Sequence, residues 1–302
     1  MNHSKTLITG ATGLVGSKLV KLFDNVCMTT RSIARAKQKF GPHAGQLLQW
    51  SGGNQPLDLT TAGPISTVIN LMGEPIDGRW TSEKKTSLRA SRVDGTKRLV
   101  EAIGKLAPRP KVMVSASAVG FYGDNGDREI TEETPNGSGF LAELCHEWEN
   151  TARQVESLGV RLVILRIGIV LDREGGALKK MVPIFKTGLA GRLGNGKQFF
   201  PWIHSNDLVQ LIRWAATNES VEGVYNATAE TPVTNADFTR YLAKILRRPA
   251  FLPAPRFGLR LMLGEFADSL LVSHRAVPQA ALKAGFEFQY KDIGSALTDL
   301  LA

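Results

Sequence analysis

Lys5–Gly16 is Lys-Thr-Leu-Ile-Thr-Gly-Ala-Thr-Gly-Leu-Val-Gly, a β-type run that ends in a Gly-rich turn. Apolar residues then recur at helical spacing as far as Phe23. A Gly-rich triplet is informative when a strand precedes it and a helix follows, and both are present here. Glycines at positions 10, 13 and 16 permit a tight turn and let backbone N–H groups approach a pyrophosphate. The stretch therefore predicts a dinucleotide-binding strand–turn–helix unit.

Strands and helices alternate along most of the chain. Continuously apolar runs at Thr67–Leu71, Lys111–Ser115 and Arg161–Ile167 are separated by helical segments, of which 81–106 is the longest. Such runs are typical of parallel strands that are covered on both faces. The pattern predicts an α/β fold with a doubly wound parallel sheet.

The chain changes character near residue 228. Thr234 is a candidate helix N-cap, and three prolines between positions 249 and 255 form a stiff linker. Further helices are predicted at 257–263, 278–284 and 293–301. We therefore expect one domain over 1–228 and a small, mostly helical C-terminal domain over 229–302 that closes over the cofactor cleft.

Composition places the chain in an ordinary class. It has 302 residues, 43% of them hydrophobic and 22% charged, as in soluble globular proteins. No apolar stretch reaches the roughly 20 residues of a membrane span, and the first ten residues do not resemble a signal peptide. Two cysteines, Cys27 and Cys145, form no disulfide framework. These features predict a reduced, cytoplasmic protein without a membrane partner.

The positive charge lies in the first third of the chain. Residues 1–110 hold 16 Lys and Arg against 7 Asp and Glu, whereas residues 111–302 hold 21 of each. A basic region can attract nucleic acid, a membrane surface or a phosphorylated small molecule, or it can be a solvated helix face. Nucleic-acid binding calls for aromatic residues between the charges, which Trp80 alone does not supply. We expect no nucleic-acid partner.

The end of the second predicted strand indicates which dinucleotide binds. NAD sites usually carry an acidic residue there, which binds the ribose 2′-hydroxyl. Here the strand ends in Thr29-Thr30-Arg31-Ser32, and the nearest acid downstream is Asp58. The guanidinium of Arg31 offers donors suited to a 2′-phosphate. The sequence therefore predicts NADP(H); the alternative is that Arg31 is a solvent-exposed loop residue.

Further motifs follow at characteristic positions. They are Asn70-Leu-Met-Gly73, Arg92-Val-Asp-Gly-Thr96, Ser115-Ala-Ser-Ala-Val-Gly-Phe-Tyr-Gly-Asp124, Leu165–Val170 and Trp202–Leu208. Together with the Gly-rich turn, they make the chain resemble the extended short-chain dehydrogenase/reductases, which include nucleotide-sugar epimerases and have a Rossmann fold. Glu74–Trp80 and the Pro-rich and Leu-rich C-terminal segment resemble an atypical subgroup. That subgroup comprises the "epimerase family" proteins with a C-terminal domain of unknown function.

The resemblance also shows what this chain lacks. In the wider family a serine acts with a Tyr-x-x-x-Lys pair, and Ser117 matches that serine. No tyrosine lies near position 140, and no lysine occurs between Lys111 and Lys179. In the subgroup, Leu141 and Cys145 stand at the Tyr and Lys positions. A cysteine cannot supply a permanent positive charge, so the usual means of acidifying the phenol is missing.

Candidate site residues follow from these motifs. The catalytic candidates are Ser117 near the reacting oxygen, Arg92 for an anionic group, and Cys145, which is alternatively a buried small residue. We interpret Tyr122 and His204 as structural. The expected cofactor-binding residues are Gly10, Thr12, Gly13, Leu14, Val15, Gly16, Arg31, Leu71, Met72, Gly73, Ser115, Arg166, Gly168 and Ile169. His and Cys residues do not cluster at metal-ligand spacing, so we expect no metal.

The leading hypothesis is an NADP(H)-dependent oxidoreductase or epimerase-like enzyme that acts on a small molecule as a monomer or homodimer. Hydride chemistry would belong to the cofactor, and the protein would position it. The alternative is a non-catalytic NADP(H)-binding protein that senses redox state or binds a partner. The missing Tyr and Lys support that alternative.

Overall fold

The architecture is a seven-stranded parallel sheet between layers of helices, with a helical C-terminal lobe. The computed structural model describes residues 4–302. The strands are β1 (Lys5–Thr9), β2 (Val26–Thr30), β3 (Gln46–Gln49), β4 (Ile65–Asn70), β5 (Val112–Ala118), β6 (Glu129–Ile130), β7 (Arg161–Ile167), β8 (Ile169–Leu171), β9 (Phe199–Phe200), β10 (Trp202–His204), β11 (Gly223–Ala227), β12 (Val233–Thr234) and β13 (Arg275–Ala276). The α-helices are α1 (Leu14–Leu19), α2 (Ile33–Phe40), α3 (Ser82–Arg89), α4 (Gly95–Gly104), α5 (Phe140–Arg153), α6 (Gly176–Lys186), α7 (Ser205–Thr217), α8 (Asn235–Leu246), α9 (Arg256–Leu263), α10 (Phe266–Ser269), α11 (Gln279–Lys283) and α12 (Ile293–Leu301).

The strand order of the main sheet is β11-β7-β5-β4-β1-β2-β3, and every pairing in it is parallel. The chain leaves β1 toward β2 and β3, then returns to the other side of β1 for β4 and β5. The order therefore reverses between β1 and β4, which is where open sheets of this kind bind ligands at the carboxyl ends of their strands. The predicted doubly wound Rossmann sheet is confirmed.

Helices cover both faces of this sheet. Alternate residues of one strand point to opposite sides, so Leu7 and Ile8 of β1 enter two separate apolar clusters. Ile8 packs in the cluster that includes α7 residues such as Leu208, and Leu7 packs with α4 residues such as Leu99. This double burial explains why the strands are apolar along their whole length.

The long predicted helix at 81–106 is interrupted. It consists of α3, one turn of π-helix at Ala90–Asp94, and α4. A π-turn inserts an extra residue into the helical ladder and changes the direction of the side chains in it. Arg92 lies within this turn. The helix predicted at 140–157 also ends earlier, at Arg153, and a 3₁₀ turn follows it.

The C-terminal lobe shares a core with the segment that precedes β11. Phe238 of α8 and Leu297 of α12 pack in one cluster with Leu171 and Trp202. Thr234 caps α8, as predicted, because its side chain accepts a hydrogen bond from the backbone N–H of Asp237. The lobe is thereby fixed against the sheet through residues 171–202.

Candidate functional site

The Gly-rich turn after β1 cannot hold side chains at its key positions. Gly10 has φ +66°, and a Cβ there would lie 2.5 Å from the carbonyl oxygen of Leu71. A Cβ on Gly16 would lie 2.4 Å from the carbonyl oxygen of Gly10. Gly13 is the N-cap of α1, and no side chain caps this helix. The first N–H groups of the helix are therefore available to an anion.

A buried amide links the strands below this turn. Asn70, at the end of β4, accepts a hydrogen bond from Thr9 Oγ1 at 2.7 Å. Its Nδ2 donates to Thr96 Oγ1 at 3.0 Å and to Ser115 Oγ at 3.3 Å. Asn70 thus ties β1, β5 and α4 together at the carboxyl edge. Ser115, which we expected to contact the cofactor, accepts a hydrogen bond from Asn70 below the Gly-rich turn.

The loop after β4 packs closely against the end of β1. The backbone N–H of Leu71 donates to Thr9 O at 3.3 Å. The Met72 side chain fills the space beside two glycines, since a Cβ on Gly52 or Gly95 would lie 2.9 Å or less from its sulfur or methyl carbon. Leu71 and Met72 are half-buried, and the predicted Gly73 is exposed.

The end of β2 leaves a cation free. Ser32 caps α2 by accepting from the backbone N–H of Arg35. Thr30 Oγ1 contacts the backbone N–H of Ser32 at 3.2 Å. The side chain of Arg31 is exposed and forms no hydrogen bond or ion pair within residues 4–302. Local bonds therefore fix the backbone, while the guanidinium is left for a ligand.

The remaining predicted cofactor residues follow the ends of β1 and β7. Thr12 is exposed, and its carbonyl accepts from Lys39 Nζ at 2.8 Å. Leu14 contacts the start of α6, because a Cβ on Gly175 would lie 2.9 Å from its Cδ1. Val15 packs on the sheet core. Gly168 and Ile169 are half-buried where β7 ends.

Ser117 is held by a buried ion pair. Its hydroxyl donates to Glu149 Oε1 at 2.7 Å. Glu149 in turn receives two hydrogen bonds from Arg166, at 2.8 Å from Nε and 2.9 Å from Nη2. All three side chains are buried. The Ser117 hydroxyl is thus a donor to Glu149, and it also interacts with the thiol of Cys145.

Arg166 has partners on all sides. Its Nη1 donates to the Tyr122 hydroxyl at 2.9 Å and to Glu132 O at 3.3 Å, and its guanidinium lies 3.5 Å from the centre of the Phe121 ring. We expected this guanidinium at the cofactor, but the structure directs it into the protein. Tyr122 donates to Asn226 Oδ1 at 2.6 Å, and burial raises the pKa of its phenol to about 12.

The two residues that the sequence analysis aligned with the family's Tyr and Lys are apolar. Leu141 packs against the backbone at Gly120. Cys145 is buried, and burial together with the charge of Glu149 raises the pKa of its thiol to about 12. A thiol with that pKa is protonated at neutral pH and a poor nucleophile.

Arg92 lies beside this region. Its Nη2 donates to Glu74 O at 3.1 Å, and its guanidinium lies 5.4 Å from the centre of the Trp148 ring. A Cβ on Gly73 would lie 3.1 Å from its Cζ. Within residues 4–302 it forms no ion pair, and burial lowers its pKa. The charge of Glu74 acts on this guanidinium without an ion-pair contact, so the guanidinium can still contact an anionic group.

Sequence reasoning missed two central residues. Asn70 belongs to the motif Asn70–Gly73. Its hydrogen bonds to Thr9 and Ser115 form only because β1, β4 and β5 lie side by side in the sheet. Glu149 lies two helical turns after Leu141, and its burial beside Trp148 gave no signal of an ion pair. A search for acids on the apolar face of α5 could have found it.

Comparisons with known proteins agree with this geometry. A family model described as "NAD dependent epimerase/dehydratase family" matches residues 6–228. The chain belongs to that family. A second model, described as "Domain of unknown function (DUF1731)", matches residues 254–300 of this family member. Both parts of the predicted resemblance, the epimerase type and the appended domain, are confirmed.

Relatives cover nearly the whole chain of this epimerase/dehydratase family protein. It is 40% identical over 306 residues to the "Epimerase family protein SDR39U1 homolog, chloroplastic" of Arabidopsis thaliana, covering 97% of this chain and 86% of that protein. It is 34% identical over 300 residues to Bacillus subtilis (strain 168) YfhF, covering 98% and 97%. The structure of human epimerase family protein SDR39U1 (isoform2) with NADPH superposes with a TM-score of 0.85 at 30% identity, covering 98% of this chain and 99% of that chain.

Two further features of the structure bear on partners. None of the helices in residues 4–302 is long and apolar enough to cross a membrane. In the same range, no group of three or more His, Cys, Asp or Glu side chains is arranged to hold a metal ion.

Proposed function

We propose that this protein is an NADP(H)-dependent oxidoreductase that acts on a small molecule. The free guanidinium of Arg31 at the end of β2 is the observation that carries the cofactor preference. No acid stands there to bind a ribose diol or to repel a 2′-phosphate. The NADPH bound to the human relative is consistent with this choice.

The residues of the crevice fit a dinucleotide. Gly10, Gly13 and Gly16 leave backbone N–H groups open for the pyrophosphate, and Arg31 would contact the 2′-phosphate. Bound NADP(H) supplies or accepts a hydride. Ser117 would accept a hydrogen bond from a substrate hydroxyl, and Arg92 would orient an anionic group of the substrate.

Glu149 is a positioning residue in this proposal. It receives the Ser117 proton as a hydrogen bond and so decides which way the hydroxyl points. Its bidentate contact with Arg166 fixes the position of the carboxylate. The pair therefore holds the Ser117 hydroxyl in one orientation.

Cofactor preference is tested with Arg31→Ala. Charge-assisted hydrogen bonds contribute roughly 1.5–3 kcal/mol, so NADPH binding should weaken roughly 10- to 150-fold. NADH binding should barely change, because the lost contact is to the 2′-phosphate alone. Calorimetric titration of both proteins with both cofactors measures this, with Lys37→Ala as a matched control. Equal wild-type affinity for NADPH and NADH would disprove the assignment.

A second candidate function, a non-catalytic NADP(H) binder, is favoured by Leu141 and the buried, protonated Cys145 at the Tyr and Lys positions. Stopped-flow measurement of NADPH oxidation with ketones, quinones and nucleotide sugars separates the two. Turnover that Ser117→Ala abolishes, with NADPH affinity unchanged, supports the enzyme. Tight NADPH binding without oxidation by any compound supports the binder.

A further inference from the structure

A cleft on the C-terminal lobe is lined by five cationic side chains. It has a volume of about 730 Å³ and lies between α8, the loop after it and the loop at residue 192. Among the described residues that line it, none is acidic. The cations are Arg192, Arg240, Lys244, Arg247 and Arg248.

In the described part of the chain, most of these cations form no ion pair. Arg240 pairs with Asp237 at 2.7 Å. Within residues 4–302 the other four form no ion pair and no side-chain hydrogen bond. Basic residues in a last helical turn can complement the helix dipole, which accounts for Lys244. Arg192 comes from a different segment, so the dipole of α8 does not explain its presence.

Arg247 adds a second observation. With φ 52° and ψ 43°, it is the one residue other than glycine that has a positive φ in the described part of the chain. Helices that end in this conformation usually carry Gly or Asn there, because a larger side chain is strained. An arginine at this strained position, on the wall of a basic cleft, points to a use for its side chain.

The size of the cleft favours a small ligand over a macromolecule. Clefts of roughly 300–1,000 Å³ are typical of small-molecule sites. Phe251, with 70% of its surface exposed, lies at the same cleft and offers a ring for stacking. One phosphate would leave several of these cations without a partner, whereas a chain of two or three phosphates could contact most of them.

We propose that this cleft binds a small anion with two or more linked phosphate groups, either free pyrophosphate or the phosphate chain of a nucleotide. The site is separate from the Gly-rich turn, and the proposal does not depend on whether the protein is an oxidoreductase.

The test is calorimetric titration of the full chain, saturated with NADPH, with inorganic pyrophosphate, ADP and inorganic phosphate. We expect one site that prefers pyrophosphate or ADP to phosphate and weakens as salt is raised. Tighter binding of ADP than of pyrophosphate would identify a nucleotide as the source, and equal binding would identify free pyrophosphate. Binding of phosphate alone, or of none, would overturn the proposal.

A double variant tests the residues. Arg247→Asn with Arg248→Gln should weaken pyrophosphate binding at least tenfold, while Asn, which tolerates the left-handed conformation, keeps the melting temperature unchanged. The control removes two exposed charges elsewhere, Arg213→Gln with Lys283→Gln, and should leave binding as in the wild type. Equal losses in both double variants would mean that net charge, and not this cleft, attracts the anion. Binding of RNA or of anionic vesicles without pyrophosphate binding would also overturn the proposal.

Discussion

The Gly-rich turn after β1 and the junction between β5 and α5 lie at the same edge of the sheet but are built in opposite ways. At the turn, no side chain within residues 4–302 caps α1 or pairs with Arg31. At the junction, Ser117 and Arg166 are both bound to Glu149, inside the protein. Cofactor binding depends on backbone shape, whereas acid–base chemistry depends on a few side chains. A chain can therefore keep the first while its catalytic side chains change.

The largest expected effect is that of Glu149→Ala on the junction between β5 and α5. It removes the partner of a buried guanidinium, which typically costs about 3–5 kcal/mol of unfolding free energy. Denaturant unfolding measures the loss. Glu147→Ala on the same helix is the control, because its partner Arg89 is half exposed and such pairs contribute about 0–1 kcal/mol. A loss below about 1 kcal/mol for Glu149→Ala would mean that the junction is not held by this pair.

The anchoring of the loop after β5 should depend on pH. His274 is buried beside Gly123 and Asp124, and burial lowers its pKa from 6.5 to about 4. As the pH falls from about 6.5 to about 4, the unfolded chain binds a proton that the folded chain refuses, so stability falls. Between pH 6.5 and pH 4, this proton lowers the free energy of unfolding by about 3 kcal/mol. Above pH 6.5 His274 makes no pH-dependent contribution.

Unfolding of the wild type and of His274→Gln between pH 4 and pH 8 isolates the contribution of His274 to stability, because the acidic residues titrate in both proteins. The exposed His43→Gln serves as the control and should follow the wild-type curve. Parallel curves for the wild type and His274→Gln would show that this histidine does not stay neutral.

The smallest expected effect is at Cys145. With a pKa of about 12, its thiol should not react with iodoacetamide at pH 8 in the folded protein, and Cys145→Ala should change turnover little. Mass spectrometry of the alkylated protein checks the first point, with the unfolded protein as the reactive control. Rapid modification of folded Cys145 would show that the junction between β5 and α5 is as accessible as the Gly-rich turn. It would also make the thiol a catalytic candidate again.

Much of the fold follows from local pattern. The continuous apolar runs predicted the strands, and β7 and α12 begin and end where the sequence placed them. The helix predicted at 81–106 is present over 82–104, but its π-turn was not predicted, because the period of the apolar residues does not reveal one extra residue in a turn. The site residues divide in the same way. Glycines 10, 13 and 16 were visible in the sequence, whereas the bonds of Ser117 and Arg166 were not.

The sequence by itself determined the parallel sheet, the Gly-rich turn, the acid missing after β2 and the absent Tyr-x-x-x-Lys pair. These are properties of spacing and residue type within short segments. The tertiary structure alone decided that Glu149 joins Ser117 to Arg166, that Arg92 forms no ion pair within residues 4–302, and that five cations line one cleft. Each of those facts depends on which side chains from distant segments meet and on which are buried, because burial and the nearest charge set hydrogen bonding and pKa.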